Sequence, residues 1–393
     1  MLTRRHFALV AGSTLSTLAL GGIGCTLAAN ADEATAVKDA IDAAVKPVMA
    51  QYGIPGMAVG VSLDGRRHFA EYGSASPKQK LPVTRETLFE LGSISKTFTA
   101  TLATLAEIDG KLKLTDTVGQ HLPELRVSPV GEVRLVDLAT HTAGGFPLQL
   151  PDNVKTQPAL MDWYRAWEPK FAAGTMRSYA NPSIALLGLV TARAMGENFA
   201  KLAEGRLFPA LGLTRTYINV PEAEKAAYAW GSRDGKAVRA GASPIAAEAY
   251  GVTSNTTDLL RYLEVSMGIL KGGSVPDAVA RALAATHVGY YRSGPFIQDL
   301  IWEQYPTPAT LKEMTEGNSQ QMSMKDNTAS AIVPPMKPRS DVIFNKTGST
   351  GGFGAYLFGA PEAKLGIVLL ANKFYPNEAR TKAAWQVMER VAG

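Results

Sequence analysis

Strand patterns sit at the two ends of this 393-residue chain, and its middle is nearly free of them. Met57 to Leu63 and Arg67 to Tyr72 read as two strands, with the hairpin signal Asp64-Gly65 between them. Strands return at Val342 to Lys346, Gly352 to Phe358 and Leu365 to Ala371. From about residue 93 to 270 the pattern is mostly helix and loop, punctuated at Pro123, Gly144-Gly145, Pro151, Gly174 and Pro182. Helices are expected over Asp32 to Gln51 and from about Asn377 to Val391. The simplest packing joins both ends in one antiparallel sheet covered by the terminal helices, with the middle as a second, helical lobe. The expected α+β, two-lobe architecture has a sheet lobe at about 32–90 and 270–393, a helical lobe at about 91–269, and a ligand cleft between them.

Residues 1–31 carry the basic start Arg4-Arg5, an apolar run from Phe7 to Leu27 and the small-residue pattern Ala29-Asn30-Ala31. This is the form of a cleavable export signal. Thr3-Arg4-Arg5-His6-Phe7 resembles a twin-arginine signal, with an ordinary Sec signal as the plainer reading. Lipid attachment at Cys25 is a further alternative. Periplasmic location is expected, with no stable membrane insertion after cleavage. The apolar fraction of 46% and charged fraction of 19% are those of a globular protein. The net charge of +5 falls to near +3 without the signal, and no cluster of basic residues supports a nucleic-acid partner. Cys25 is the one cysteine, so the remainder has no disulfide, thiolate metal site or cysteine nucleophile.

Three short motifs carry chemistry. Ser93-Ile94-Ser95-Lys96 follows Leu88 to Gly92 and precedes a helical run from Thr97 to Ile108. If Ser93 opens that helix, Ser93 and Lys96 share a face. A serine hydroxyl needs a base, and a lysine in a water-poor cleft, its pKa lowered, can serve as one. Taken alone, the motif is weak: average usage predicts roughly one Ser-x-x-Lys by chance in a chain this long. Tyr179-Ala180-Asn181 supplies a phenol and an amide suited to base and substrate contacts. Tyr-x-Asn recurs at Tyr217 and Tyr375, so it is also weak alone. Lys346-Thr347-Gly348 ends a strand and leads into Ser349. Gly348 on an edge strand would let a substrate backbone approach. The Ser349 and Ser93 N–H groups would form an oxyanion hole.

In this order and spacing the three motifs match the serine penicillin-recognising enzymes. The chain resembles the class C β-lactamases across nearly all of its length after the signal. Phe89 to Phe98, Leu138 to Gln149, Tyr179-Ala180-Asn181 after Gly174-Thr175-Met176-Arg177, Ala249 to Val252, Lys346 to Gly354 and Ala371 to Arg380 carry the likeness. The resemblance implies the serine β-lactamase fold and hydrolysis of β-lactams through an acylated Ser93. It further implies that Lys96 and Tyr179 share general-base work and that Lys346 and Thr347 fix charge near Tyr179 and the substrate carboxylate. Gln149 and Asn181 would bind the acyl side-chain amide, Tyr250 would pack beside it, and Asn377 and Arg380 would meet the carboxylate region. No cofactor is implied, and the scattered histidines give no metal pattern. The expected partner is a small-molecule β-lactam, bound by a monomer.

Phe374 stands where the family usually has asparagine, Pro182 where it has serine and Ala173 where it has proline. The segment Gln298 to Glu303 also departs from Gly-Leu-Gly-Trp-Glu. These departures predict a substrate profile unlike that of a typical cephalosporinase. A D-Ala-D-Ala peptidase shares the three motifs, and a related serine esterase is a further alternative, although Lys-Thr-Gly is intact here. A lactam-binding sensor would bring a membrane span or signalling domain.

Overall fold

The computed structural model describes residues 21–76, 78–270 and 273–392. Arg4-Arg5 and the first part of the apolar run lie outside them. The helices that position the site are α1 (Gly21–Tyr52), α2 (Ser95–Ile108), α3 (Asn181–Met195), α4 (Thr256–Ser266), α5 (Gln320–Met324) and α6 (Asn377–Ala392). Helix α1 starts well before the expected Asp32. Five alanines between Ala28 and Ala36 favour helix, and no glycine or proline interrupts them. Among the described residues no helix is long and apolar enough to cross a membrane.

Among the described residues ten strands form one antiparallel sheet: β1 (Gly56–Leu63), β2 (Arg66–Ser76), β3 (Leu81–Pro82), β4 (Gly289–Ser293), β5 (Phe296–Gln298), β6 (Glu303–Pro306), β7 (Ser330–Met336), β8 (Val342–Ser349), β9 (Gly354–Ala360) and β10 (Leu365–Ala371). Their spatial order is β7-β4-β5-β6-β8-β9-β10-β1-β2-β3. The early hairpin and the late strands therefore meet at β1 and β10, with Met57 opposite Ala371 and Leu63 opposite Leu365.

Strand β10 is apolar along its whole length because both faces are covered. Ile367 and Leu369 pack with Val37 and Ile41 of α1 and Trp385 of α6. Val368 and Leu370 point the other way, into a core shared with Leu260 and Leu263 of α4 and with Phe98 and Leu102 of α2. Helix α2 is buried from Ser95 to Ala106. Its Phe98, Leu102 and Leu105 belong to that sheet-side core, whereas Ala100, Ala103 and Ala106 join the core of the helical region with Leu138, Ile184 and Leu187. A helix enclosed on all sides reads as apolar or small all round. Its N-terminus is thereby fixed between the sheet and the helices.

Asn372, fully buried after β10, ties this region together. Its Oδ1 accepts from the Gly56 N–H at 2.7 Å, and its Nδ2 donates to the carbonyls of Ser74 at 2.9 Å and Trp230 at 3.1 Å. Asn372→Ala orphans these buried backbone groups and should destabilise the fold by about 3 kcal/mol. Urea unfolding should show a lower midpoint at unchanged m-value. An unchanged midpoint would mean that the sheet closes without this side chain.

Candidate active site

Ser93 lies in a tight 3-10 turn, Gly92–Ile94, and α2 begins only at Ser95. The serine thus precedes the helix it was expected to open, yet the three-residue spacing still brings Lys96 to it. Lys96 Nζ donates to Ser93 Oγ at 2.8 Å and to the Ala249 carbonyl at 2.8 Å. The lysine side chain is fully buried. Burial removes solvent from its ammonium and the Lys346 charge opposes it, which together lower its pKa to about 8.

Two glycines set the position of the Ser93 turn. Gly92 has φ +53°, and a Cβ there would fall 2.3 Å from the Ser349 nitrogen. A Cβ on Gly348 would fall 1.8 Å from the Leu91 carbonyl oxygen. The turn therefore lies directly on the Gly348-Ser349 backbone, a contact that only glycine permits. This adds a packing role to the one expected for Gly348, whose strand is an edge only locally. Strand β8 is interior to the sheet, with β6 on one side and β9 on the other. Its pairing with β6 ends at Asn345, so Lys346 to Ser349 are free of β6. The space that a Gly348 Cβ would take is filled by the Ser93 turn.

Tyr179 stands between short strand Met176–Ser178 and α3. Its ring lies 5.3 Å from Lys96 Nζ and 5.1 Å from Lys346 Nζ, with the Arg177 guanidinium at 5.4 Å. Its hydroxyl is buried and lacks a hydrogen bond of ordinary geometry. Burial alone would raise the phenol's pKa. Lys346 and Lys96 overcome it, with a smaller pull from nearby Ser93, and the result is about 8. The pKa values of Lys96 and Tyr179 are thus both drawn toward neutral pH beside the Ser93 hydroxyl. His141 packs on Tyr179 at 4.4 Å between ring centroids, and its Nδ1 accepts from the Ala180 N–H at 3.2 Å. Burial, reinforced by Arg177 and the lysines, holds His141 neutral, in a structural role.

Ser93, Tyr179, Lys346, Thr347, Gly348, Ser349 and Asn377 line one cavity of about 440 Å³. A larger cavity, about 860 Å³ between α4 and β8, is lined by none of the motif residues. Asn181 Nδ2 donates to Gln149 Oε1 at 2.8 Å, and Gln149 is exposed. These two sit beside the 440 Å³ cavity without lining it. Tyr250 lines a separate cleft with Tyr228 and Arg239 and follows the Ala249 carbonyl that holds Lys96. Arg380, expected to contact substrate, is instead wholly enclosed. Its Nη1 donates to the Gly348 carbonyl at 2.6 Å and the Ala355 carbonyl at 3.2 Å, and its Nη2 to the Tyr375 carbonyl at 2.5 Å. It braces the β8 backbone behind the site.

Arg177 and Glu303, absent from the expected site residues, both line the cavity. Arg177 is buried and donates to Gln298 Oε1 at 2.6 Å, the Met322 carbonyl at 2.7 Å and Glu303 Oε1 at 3.1 Å. The Gly-Thr-x-Arg segment was the sequence signal that held it. Among the described residues no cluster of histidine, cysteine, aspartate and glutamate is placed to hold a metal ion.

A serine hydroxyl held by a buried lysine, a phenol between two ammonium groups, and a Lys-Thr-Gly strand beside them are the groups that serine acyl transfer needs, on an α+β scaffold. The chain belongs to the β-lactamase family, whose model matches residues 41–392. It is 44% identical over 356 residues to a β-lactamase from Pseudomonas fluorescens, covering 90% of this chain and 99% of that one. A crystal structure of a class C β-lactamase superposes with a TM-score of 0.88 at 41% identity, covering 91% of this chain and 98% of the other. The structure of the D-alanine carboxypeptidase AmpC from Burkholderia cenocepacia superposes with a TM-score of 0.86 at 45% identity, covering 90% and 98%. The fold is that of the class C β-lactamases.

The environment of Tyr179 has a spectroscopic consequence. Every other tyrosine with a displaced pKa is displaced upward, mainly by burial. Phenolate absorbance near 295 nm should therefore show one early step near pH 8, absent in Tyr179→Phe. In Lys346→Met the loss of a stabilising cation should move that step to higher pH. A step that survives Tyr179→Phe would assign it to another group.

Proposed function

We propose that this protein hydrolyses the amide bond of β-lactam antibiotics through a Ser93 acyl-enzyme. The observation that carries the reading is the 2.8 Å contact between Lys96 Nζ and Ser93 Oγ beside the low-pKa phenol of Tyr179. Ser93 Oγ attacks the lactam carbonyl carbon as its proton passes to the Lys96–Tyr179 pair. The Ser93 and Ser349 N–H groups stabilise the tetrahedral oxyanion. The C–N bond then breaks, and Tyr179 returns a proton to the lactam nitrogen. Water attacks the ester with Tyr179 assisting, and Ser93 is released. Lys346 and Thr347 hold the substrate carboxylate, while Gln149 and Asn181 hold the acyl amide.

The pH dependence of acylation has a fixed sign in this scheme. Below about pH 8 the pair holds both protons, so acylation speeds up as pH rises toward 8. The Arg4-Arg5 leader pattern supports export to the periplasm. A single chain supplies all the proposed site residues, which supports a monomer.

A D-alanyl-D-alanine carboxypeptidase is the second reading, favoured by the name of the similar Burkholderia cenocepacia protein. Intact mass and turnover with a chromogenic cephalosporin separate the two. Rapid turnover with a transient adduct is expected, with the adduct lost and turnover reduced about a thousandfold or more in Ser93→Ala. A long-lived adduct without turnover would favour the peptidase. Neither adduct nor turnover would overturn both readings.

A further inference from the structure

The turn from β5 into β6 holds a residue in a backbone conformation that its side chain disfavours. Ile301 has φ +74°, and among the described residues it is the one β-branched residue in the left-handed region. Such a conformer persists only where its surroundings fix it. Leu300 and Trp302-Glu303 keep the class C pattern, which has glycine at the position of Ile301. Here the isoleucine side chain is buried in the core of the helical region with Leu138 and Ile184. It does not line the 440 Å³ cavity.

Both parts of this turn reach the surroundings of Tyr179. The Ile301 N–H donates to the Ala139 carbonyl at 3.1 Å. Ala139 ends the short helix Leu135–Ala139, and His141 follows two residues later, itself at φ +60°. The His141 carbonyl accepts from the Ser178 N–H at 2.8 Å, and its Nδ1 accepts from the Ala180 N–H at 3.2 Å. His141 thus holds the backbone on each side of Tyr179 while its ring packs on the phenol. At the start of the turn, Gln298 Oε1 accepts from Arg177 Nε at 2.6 Å, and Gln298 Nε2 donates to the carbonyls of Asp299 at 2.9 Å and Trp302 at 3.0 Å. The Arg177 guanidinium lies 5.4 Å from the Tyr179 ring. One turn therefore supports the phenol by two routes, through His141 and through Arg177. A glycine at 301 would adopt the same φ with nothing seated in the core, so the turn would lose its anchor.

We propose that Ile301 is a positioning residue: its seated side chain fixes the β5–β6 turn, and the turn fixes Tyr179 between Lys96 and Lys346. The role this gives Tyr179 in acylation rests on the hydrolytic reading of the site. Ile301 itself touches no reacting atom.

The test compares wild type with Ile301→Gly and Ile301→Leu, each checked for folding by its urea midpoint. The charged and titratable groups around the phenol are Lys96, Lys346, Arg177, His141 and Glu303. Loosening the turn admits water and weakens the lysine field, so Tyr179 relaxes toward the ordinary phenol value of about 10. In Ile301→Gly the early phenolate step near 295 nm should move up by about one pH unit, and single-turnover acylation by a chromogenic cephalosporin at pH 7 should slow about tenfold. Ile301→Leu, which keeps the apolar volume, should retain the wild-type step and rate. If Ile301→Gly does not fold, Ile301→Val, one methyl shorter, should show a smaller shift of the same sign. A folded Gly or Val variant with a lowered urea midpoint but an unmoved phenolate step would overturn the inference and leave Ile301 a packing residue alone. A moved step in a protein whose wild type hydrolyses no cephalosporin would overturn the hydrolytic reading and leave the placement of Tyr179 by Ile301 standing.

Discussion

The site depends on a buried phenol held between two ammonium groups. Removing Tyr179 and Lys96 from water opposes charge on each of them. Bringing Lys346 and Lys96 to about 5 Å from the phenol ring reverses that balance for Tyr179. In the low-dielectric interior such a field acts strongly, and it needs no rearrangement when the reaction begins. The surrounding structure serves to keep these groups close and dry. The Ala249 carbonyl aims Lys96 at the serine, and His141 supports the tyrosine ring and the Ala180 N–H. Arg177, anchored on β5, β6 and α5, adds a further cation against that ring.

Such a cluster of positive charge is stable only on a rigid frame. The frame is the seam where the Ser93 turn rests on Gly348 and Ser349. Backbone there approaches backbone with no side chain between, so the nucleophile and the proposed oxyanion donor keep their spacing without a flexible intermediary. Arg380 holds the far side of the same strand through the Gly348 carbonyl and ties it to β9 and to the Tyr375 segment through two more. One arginine thus supports the strand from behind, and the other supports the tyrosine from the side.

The parts legible in the sequence were those whose partners lie nearby in the chain or whose pattern is periodic. Ser93 and Lys96 are three residues apart, so a helical turn suffices to join them. The short apolar run of β10 and the Asp64-Gly65 turn reveal strands without knowledge of their neighbours. Arg177 and Glu303 are 126 positions apart, and only the folded chain brings them together. That β8 is open only beyond Asn345, where its pairing with β6 stops, leaves no mark in the β8 sequence. The resemblance to the class C enzymes implied Arg380 at the carboxylate region of the substrate. Its burial depends on three carbonyls presented by segments as much as 32 positions away.

The meeting of β1 and β10 has a consequence for how the molecule comes into being. Gly56 and Asn372, which share a hydrogen bond, are 316 positions apart. The first strand made has no permanent neighbour on that side until nearly the whole polypeptide has been synthesised. Closure of the sheet centre is a late and long-range event, of the kind that slows folding and leaves apolar strand surface uncovered in the meantime. The Lys346–Ser349 segment, which completes the reactive centre, is delivered in that same final stage. The chain therefore gains its proposed reactivity only when the whole frame is assembled, with no working half-molecule along the way.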